Sequence, residues 1–180
     1  MGAPKLEHLP HYTYDDYVTW EGRWELVYGV AYNMAPAPAK KHQFVSLNIA
    51  WELKNALSDC PRCEALLPVD WKIGEDTVVQ PDNLVVCDED MEGAYIVKAP
   101  LVIFEVLSKS TAAKDTRLKY ELYEEEGVRF YVIVDPDENN AKLYKLYNGK
   151  YIKEGDFGRN SYKFEFDECG FEFDFSKIWG

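Results

Sequence analysis

Two carboxylates lie in apolar stretches of the sequence that otherwise predict buried strands. Asp82 follows Pro81 within the run from 77 to 87, and Glu105 lies within the run from 101 to 107. A glutamate in a central strand is costly unless its charge is paired or bound to a metal ion. Simpler interpretations are open for both residues. Pro81-Asp82 can form a turn between two strands, and Glu105 can be solvated on an edge strand or paired with a neighbouring lysine.

Basic residues gather at two places, although the chain as a whole is acidic. The 20 Lys and Arg residues against 32 Asp and Glu residues give a net charge of −12, which disfavours passive attraction to nucleic acid or an anionic membrane. A phosphate would therefore bind best at the local basic clusters, which comprise Lys40, Lys41, His42, Lys109, Lys114, Arg117 and Lys119. Lys119 can instead pair with Asp115 on one helix face, and His42 can be a surface residue at a helix start.

Length and composition predict a single globular domain over residues 1–180. The chain is 47% hydrophobic, which excludes a disordered protein. No apolar run approaches the roughly 20 residues that span a bilayer, so no membrane partner is expected. The N-terminal residues show no secretory signal, and a cytoplasmic location is therefore expected.

The four cysteines give a weak signal. Only Cys60 and Cys63 have a spacing typical of metal ligands, and no second such pair completes a zinc site. A disulfide framework is not expected without a secretory signal. The cysteines are therefore predicted to be reduced thiols near a strand end.

Hydrophobic periodicity and turn residues predict a mixed α/β fold. A capping box at Thr13 predicts a short helix to about Glu21, and Phe44, Leu47 and Trp51 indicate the apolar face of a helix over 39–58. A second long helix is expected from a cap at Ser110 or Thr111 to Glu126. The predicted strands cover 23–28, 30–34, 64–73, 77–87, 100–108 and 128–135, followed by a hairpin at Asn148-Gly149 and an alternating β-rich tail.

Five blocks of this sequence resemble the bacterial Uma-type endonuclease family. In order they are WELVYG, QPDNLVV, PLVIFEVLSKST, a D-x-x-x-K-x-x-x-Y pattern and GVRFYVIVDP, and together they cover roughly residues 12 to 150. The family belongs to the PD-(D/E)XK superfamily. The resemblance implies a restriction endonuclease-like fold: a mixed central sheet flanked by helices, here with a β-rich C-terminal extension.

The resemblance also implies a site for Mg²⁺ or Mn²⁺. Asp82 and Glu105 match the family's metal-binding carboxylates, and the backbone carbonyl of Val106 would be a third ligand. Glu25 matches an upstream glutamate that would bind a second metal directly or through water, although it can instead be a solvated carboxylate on a strand. In such enzymes the metal ion polarises the scissile phosphate and lowers the pKa of a bound water.

One position departs from the usual superfamily motif, which has a lysine two residues after the glutamate. Leu107 occupies that position here. The resemblance implies that Lys119, on the following helix, supplies the amine instead. Tyr123 matches the family's tyrosine and is expected to act mainly in packing, and Gln80 is a further candidate near the site.

Three functions remain open from the sequence. The leading hypothesis is a metal-dependent endonuclease that hydrolyses phosphodiester bonds of DNA, acting as a homodimer because a duplex has two strands. The first alternative is a nuclease-fold module that binds nucleic acid or has a structural role without turnover. The second is a hydrolase of another phosphoester.

Overall fold

The computed structural model describes residues 8–34, 37–108, 112–167 and 169–180, and for residues 112–115 it describes the backbone alone. The predicted helix cap at Ser110 or Thr111 lies outside these residues. In chain order the elements are α1 (Tyr14–Tyr17), β1 (Trp24–Val27), β2 (Val30–Asn33), α2 (Lys40–Ala56), a 3-10 turn (Leu57–Asp59), β3 (Cys63–Leu66), β4 (Asp70–Gly74), β5 (Thr77–Val79), β6 (Asn83–Cys87), β7 (Tyr95–Ile96), β8 (Val102–Val106), α3 (Ala112–Glu125), β9 (Phe130–Asp135), β10 (Asn140–Tyr147), β11 (Lys150–Phe157), β12 (Ser161–Phe166), β13 (Cys169–Asp174) and a second 3-10 turn (Phe175–Lys177).

The strands of the described chain form two larger sheets and a C-terminal hairpin. One sheet has the order β2-β1-β5-β4-β7, the other has the order β11-β10-β9-β8-β6-β3, and β12 pairs with β13. β8 and β9 are parallel neighbours that α3 connects. The architecture confirms the predicted mixed α/β fold, with its central sheet and β-rich C-terminal region. None of the described helices is long and apolar enough to cross a membrane.

The two strands predicted at 64–73 and 77–87 are each broken in the middle. β4 pairs with β5 in the first sheet, whereas β3 pairs with β6 in the second. The breaks contain Pro68 and Pro81, which lack the N–H that a continuous ladder requires. The two predicted strands thus form one long hairpin that passes from one sheet to the other. Asp82 lies where the chain crosses between the sheets, immediately before β6.

β8 is covered on both faces, as its continuous apolar sequence predicts. Val102, Phe104 and Val106 face a core cluster that also contains α2 and the C-terminal hairpin. Ile103 faces a second cluster that contains Tyr123 and residues of the β4–β5 segment. Because side chains alternate along a strand, Glu105 points to the second face.

α2 exists as predicted, but its buried face differs from the predicted one. Val45, Ile49 and Leu53 are at most 1% exposed, whereas Phe44 is 48% exposed and Leu47 and Trp51 are each 63% exposed. The prediction was wrong because apolar residues occur on both faces of the helix, and periodicity alone does not choose between them. α1 is also shorter than expected, although its capping box at Thr13 is formed.

Candidate active site

Four side chains from four separate elements line one cavity of about 700 Å³. Glu25 comes from β1, Asp82 from the crossing before β6, Glu105 from β8 and Lys119 from α3. Glu25, Glu105 and Lys119 are each less than a tenth exposed. The sequence positions span 94 residues (119 − 25), so the fold brings these groups together.

The Lys119 amine lies between two carboxylates. Its Nζ atom is 2.9 Å from Oε1 of Glu25 and 3.1 Å from Oε1 of Glu105. The Tyr123 hydroxyl, one helical turn further on α3, donates to the same Glu105 oxygen at 2.6 Å. Lys119 therefore faces the carboxylates rather than solvent, and Tyr123 contributes a hydrogen bond in addition to its predicted packing.

Asp82 is held by two donors on the strand side of the cavity. Its Oδ2 atom accepts from the Val106 N–H at 2.8 Å and lies 3.2 Å from Nε2 of His42. The Leu107 N–H bonds to Val134 of β9, so the Val106 N–H points the other way, towards β6. Val106 itself lines the cavity beside Asp82.

Gln80 connects Glu25 to a polar network behind the cavity. Its backbone N–H donates to Glu25 Oε1 at 2.8 Å, and its side-chain amide donates to Asp70 at 2.7 Å and to the Tyr17 hydroxyl at 3.2 Å. Tyr17 donates in turn to Asp70 at 3.0 Å. These contacts fix the orientation of Glu25 relative to Lys119.

The cluster carries more carboxylates than cations, and this excess changes the pKa values. Burial raises the pKa of Glu105 to about 8, and Asp82 and Glu25 add to the rise although Lys119 opposes it. Burial also disfavours the charged form of Lys119, but Glu105, Glu25 and Asp82 outweigh it and raise the pKa of the amine. Burial likewise acts against ionised Asp82, but the hydrogen bond from His42 and the charges of His42 and Lys119 lower its pKa. Lys119 and Asp82 are therefore charged at neutral pH.

Only some of the predicted basic residues lie at this cavity. Lys41 and His42 line it, and Lys41 pairs with Asp137 at 3.2 Å. Lys40 is exposed and is not among the lining residues. Arg117 is 85% exposed and pairs with Glu121 at 3.1 Å. Lys109 and the side chain of Lys114 lie outside the described residues.

Arg23 lines the cavity but was not among the residues predicted from the sequence. It lies 3.4 Å from the Gln80 side chain. The signal was present in the sequence, because residues two apart on an extended segment share a face, and Arg23 precedes Glu25 by two positions. Asp70 and Tyr17 were also missed, since only the fold brings them next to Gln80.

Comparison with known proteins finds similar solved structures and a matching family model. A crystal structure of a putative nuclease belonging to DUF820 from Anabaena variabilis ATCC 29413 superposes with a TM-score of 0.73 at 15% identity, covering 93% of this chain and 97% of that one. No curated protein matches the sequence. A family model described as a putative restriction endonuclease, Uma2, matches residues 14–163. The chain therefore belongs to the Uma2 family of putative restriction endonucleases.

Proposed function

We propose that this protein is a metal-dependent endonuclease that hydrolyses phosphodiester bonds of DNA at the cavity formed by Glu25, Asp82, Glu105 and Lys119. The convergence of three carboxylates and one buried amine in this cavity is the observation that carries the proposal. Membership of a restriction endonuclease family supports a nucleic acid as the substrate.

The donor atoms of the cavity fit Mg²⁺ or Mn²⁺. All three carboxylates are hard oxygen donors, and their combined charge exceeds that of Lys119. Burial raises the pKa of Glu105, and the charges of Asp82 and Glu25 add to the rise, so a bound cation would compete with the proton on this carboxylate. Asp82, Glu105 and the Val106 carbonyl would hold one ion, and Glu25 would bind a second directly or through water. A bound divalent cation supplies a Lewis acid for the phosphate oxygen.

The charge state of Lys119 limits the role it can have. Its raised pKa keeps the amine protonated at neutral pH, so it does not serve as a general base. A protonated amine fixed beside Glu105 can instead donate hydrogen bonds to the attacking water and stabilise negative charge on the phosphate in the transition state. In this proposal Lys119 replaces the lysine that the usual motif places where Leu107 stands.

Cationic residues at the same cavity would bind the DNA backbone. Arg23 and Lys41 line its wall and offer charged donors to phosphate. Lys40, Lys109, Lys114 and Arg117 remain candidates for contacts further along a duplex. Such local clusters allow phosphate binding despite the net charge of −12.

We also propose that the active form is a homodimer. Each described chain contributes one cluster of these carboxylates, whereas cleavage of both strands of a duplex requires two. The first turn of α2 lines the cavity. Further along the same helix, an exposed apolar face is formed by Phe44, Leu47 and Trp51. We assign this face to contact with the second copy. Light scattering should give twice the chain mass for the wild type and the monomer mass for Leu47→Lys.

Plasmid cleavage tests the main proposal. Wild-type protein with Mg²⁺ or Mn²⁺ should nick or linearise plasmid DNA, and Asp82→Ala, purified identically, should not. Equal background cutting by both proteins would reject the nuclease function and favour a module without turnover. Hydrolysis of a small phosphodiester without any cleavage of DNA or RNA would instead favour a hydrolase of another phosphoester.

A further inference from the structure

The four cysteines of the chain converge at one point, far from the carboxylate cavity. Cys60 follows the 3-10 turn after α2, Cys63 begins β3, Cys87 ends β6 and Cys169 begins β13. The structure joins them as two disulfides, Cys60–Cys169 and Cys63–Cys87, so the prediction of reduced thiols was wrong. It failed because the pairs are 109 and 24 residues apart in sequence and only the fold shows that they meet.

The two disulfides are not independent of each other. The sulfur atoms of Cys60 and Cys169, which form one disulfide, and of Cys63, which belongs to the other, all lie within 4.8 Å of one another. Cys87 is bonded to Cys63, and these two residues are direct partners in the β3–β6 ladder. The Cys63 N–H donates to the Cys60 carbonyl at 3.1 Å, which closes a turn and brings the two thiols of the C-x-x-C segment together. Two disulfides that served only as separate cross-links would not need to share one location.

This arrangement matches the donor set of a structural zinc site. Zinc takes four thiolates in a tetrahedron at about 2.3 Å, which places neighbouring sulfur atoms about 3.8 Å apart. The sulfurs of Cys60, Cys63 and Cys169 lie within 4.8 Å of one another, and the Cys87 sulfur is bonded to that of Cys63, so all four are near one point. Cys60 and Cys63 are 1% and 4% exposed, so the site would be closed to solvent on that side, as structural zinc sites are.

We propose that the reduced chain binds one Zn²⁺ through Cys60, Cys63, Cys87 and Cys169, and that the two disulfides are the oxidised form of the same site. Two molecules of a dithiol reductant supply four electrons and four protons, open both disulfides and become cyclic disulfides themselves. Zn²⁺ then displaces the four thiol protons. The ion would tether the C-terminal hairpin, through Cys169, to the end of α2 and to the edge of the six-stranded sheet.

The zinc site would be separate from the carboxylate cavity. His42 at the beginning of α2 lines the cavity, whereas Cys60 follows the other end of this 17-residue helix, a length of about 25 Å. The donors also differ, because thiolates favour zinc and carboxylates favour Mg²⁺ or Mn²⁺. The zinc proposal therefore does not depend on the nuclease proposal.

Metal analysis of protein purified under reducing conditions tests the proposal. We expect about one zinc per chain, retained in Asp82→Asn and lost in Cys169→Ser and in Cys60→Ser. Because a variant can fail to fold, the wild type should also be titrated with Co²⁺, which should give the intense visible absorption of tetrahedral thiolate coordination. A chelator should lower the melting temperature of the reduced protein, and added Zn²⁺ should restore it. Reduced, folded wild type that holds no zinc and gives no cobalt band would overturn the proposal, as would zinc lost in Asp82→Asn but kept in Cys169→Ser.

Discussion

Lys119 on α3 donates to Glu105 on β8 at 3.1 Å, although the two residues are 14 positions apart. A lysine two residues after the glutamate would lie on the same strand face, but Leu107 is there. The helix α3, which connects β8 and β9, packs over the same face of the strand. The amine of Lys119 therefore reaches Glu105 from this helix and not from β8 itself. The position of the charge relative to the carboxylate can thus be kept while its position in the sequence changes.

Replacing Lys119 by methionine should reduce stability in a pH-dependent way. The change removes the cation between Glu25 and Glu105, and breaking such a buried pair costs about 3–5 kcal/mol. The loss should be smaller near pH 6, because Glu105 can then hold a proton, and larger near pH 9. Urea unfolding at both pH values measures it. Lys142→Met, at an exposed position of β10, is the matched control, and an equal loss at both pH values would contradict the coupling between Lys119 and Glu105.

The metal-free protein should lose stability as the pH rises. The pKa of Glu105 is raised from 4.5 to about 8 in the folded protein, so the folded state binds a proton more tightly than the unfolded state. This contribution is complete below the unfolded pKa and is lost as the pH passes the folded one. The melting temperature in EDTA should therefore fall between about pH 4.5 and about pH 8. Glu105→Gln should flatten this part of the curve. An unchanged slope in that variant would show that other groups cause the pH dependence of the melting temperature.

Divalent cations should stabilise the protein more at high pH than at low pH. Mg²⁺ or Mn²⁺ competes with the proton for Glu105, so its affinity should rise as the pH approaches 8. The measurement is the shift in melting temperature on adding the ion at each pH. Asp82→Asn should abolish the shift, whereas Asp156→Asn, which changes an exposed carboxylate on β11, should keep it. A shift of the same size in both variants would place the ion elsewhere.

Removing the Tyr123 hydroxyl should move the pH dependence of cleavage. Tyr123 donates to Glu105 at 2.6 Å and thereby favours the ionised carboxylate. Tyr123→Phe should cost about 1–3 kcal/mol of stability and shift the acid limb of the pH–rate profile upwards. Tyr151→Phe is the control, because it loses a buried hydroxyl that donates to the Val128 carbonyl at 2.8 Å. If both variants lose stability and neither profile shifts, the role of Tyr123 is structural.

Local patterns predicted most of the elements but not how they meet. The apolar run of β8, the capping box at Thr13 and the Asn148-Gly149 turn depend on neighbouring residues, and the structure has all three. The division of two predicted strands between two sheets depends on long-range pairing, to which Pro68 and Pro81 were the only local clues.

The site residues came from the family resemblance and from the cost of a buried carboxylate, and their contacts needed the fold. The link from Lys119 to Glu25 joins residues 94 positions apart, and no periodicity indicates it. The four cysteines were missed as a group for the same reason: each lies at the end of a different element, where only the three-dimensional structure shows that they are neighbours.

Arg23 should contribute one phosphate contact to DNA binding. It lines the cavity beside Gln80 and immediately precedes β1, two positions before Glu25. Binding of a DNA duplex by the catalytically inactive Asp82→Ala protein can be measured over a salt series, and the slope of log affinity against log salt reports the number of phosphates contacted. Adding Arg23→Gln should weaken binding for all duplex sequences alike and reduce the slope by about 1. Arg159→Gln, an exposed arginine in the turn before β12, should leave the slope unchanged. An affinity that does not depend on salt in any of these proteins would exclude phosphate contacts at this cavity and, with them, the assignment of DNA as the substrate.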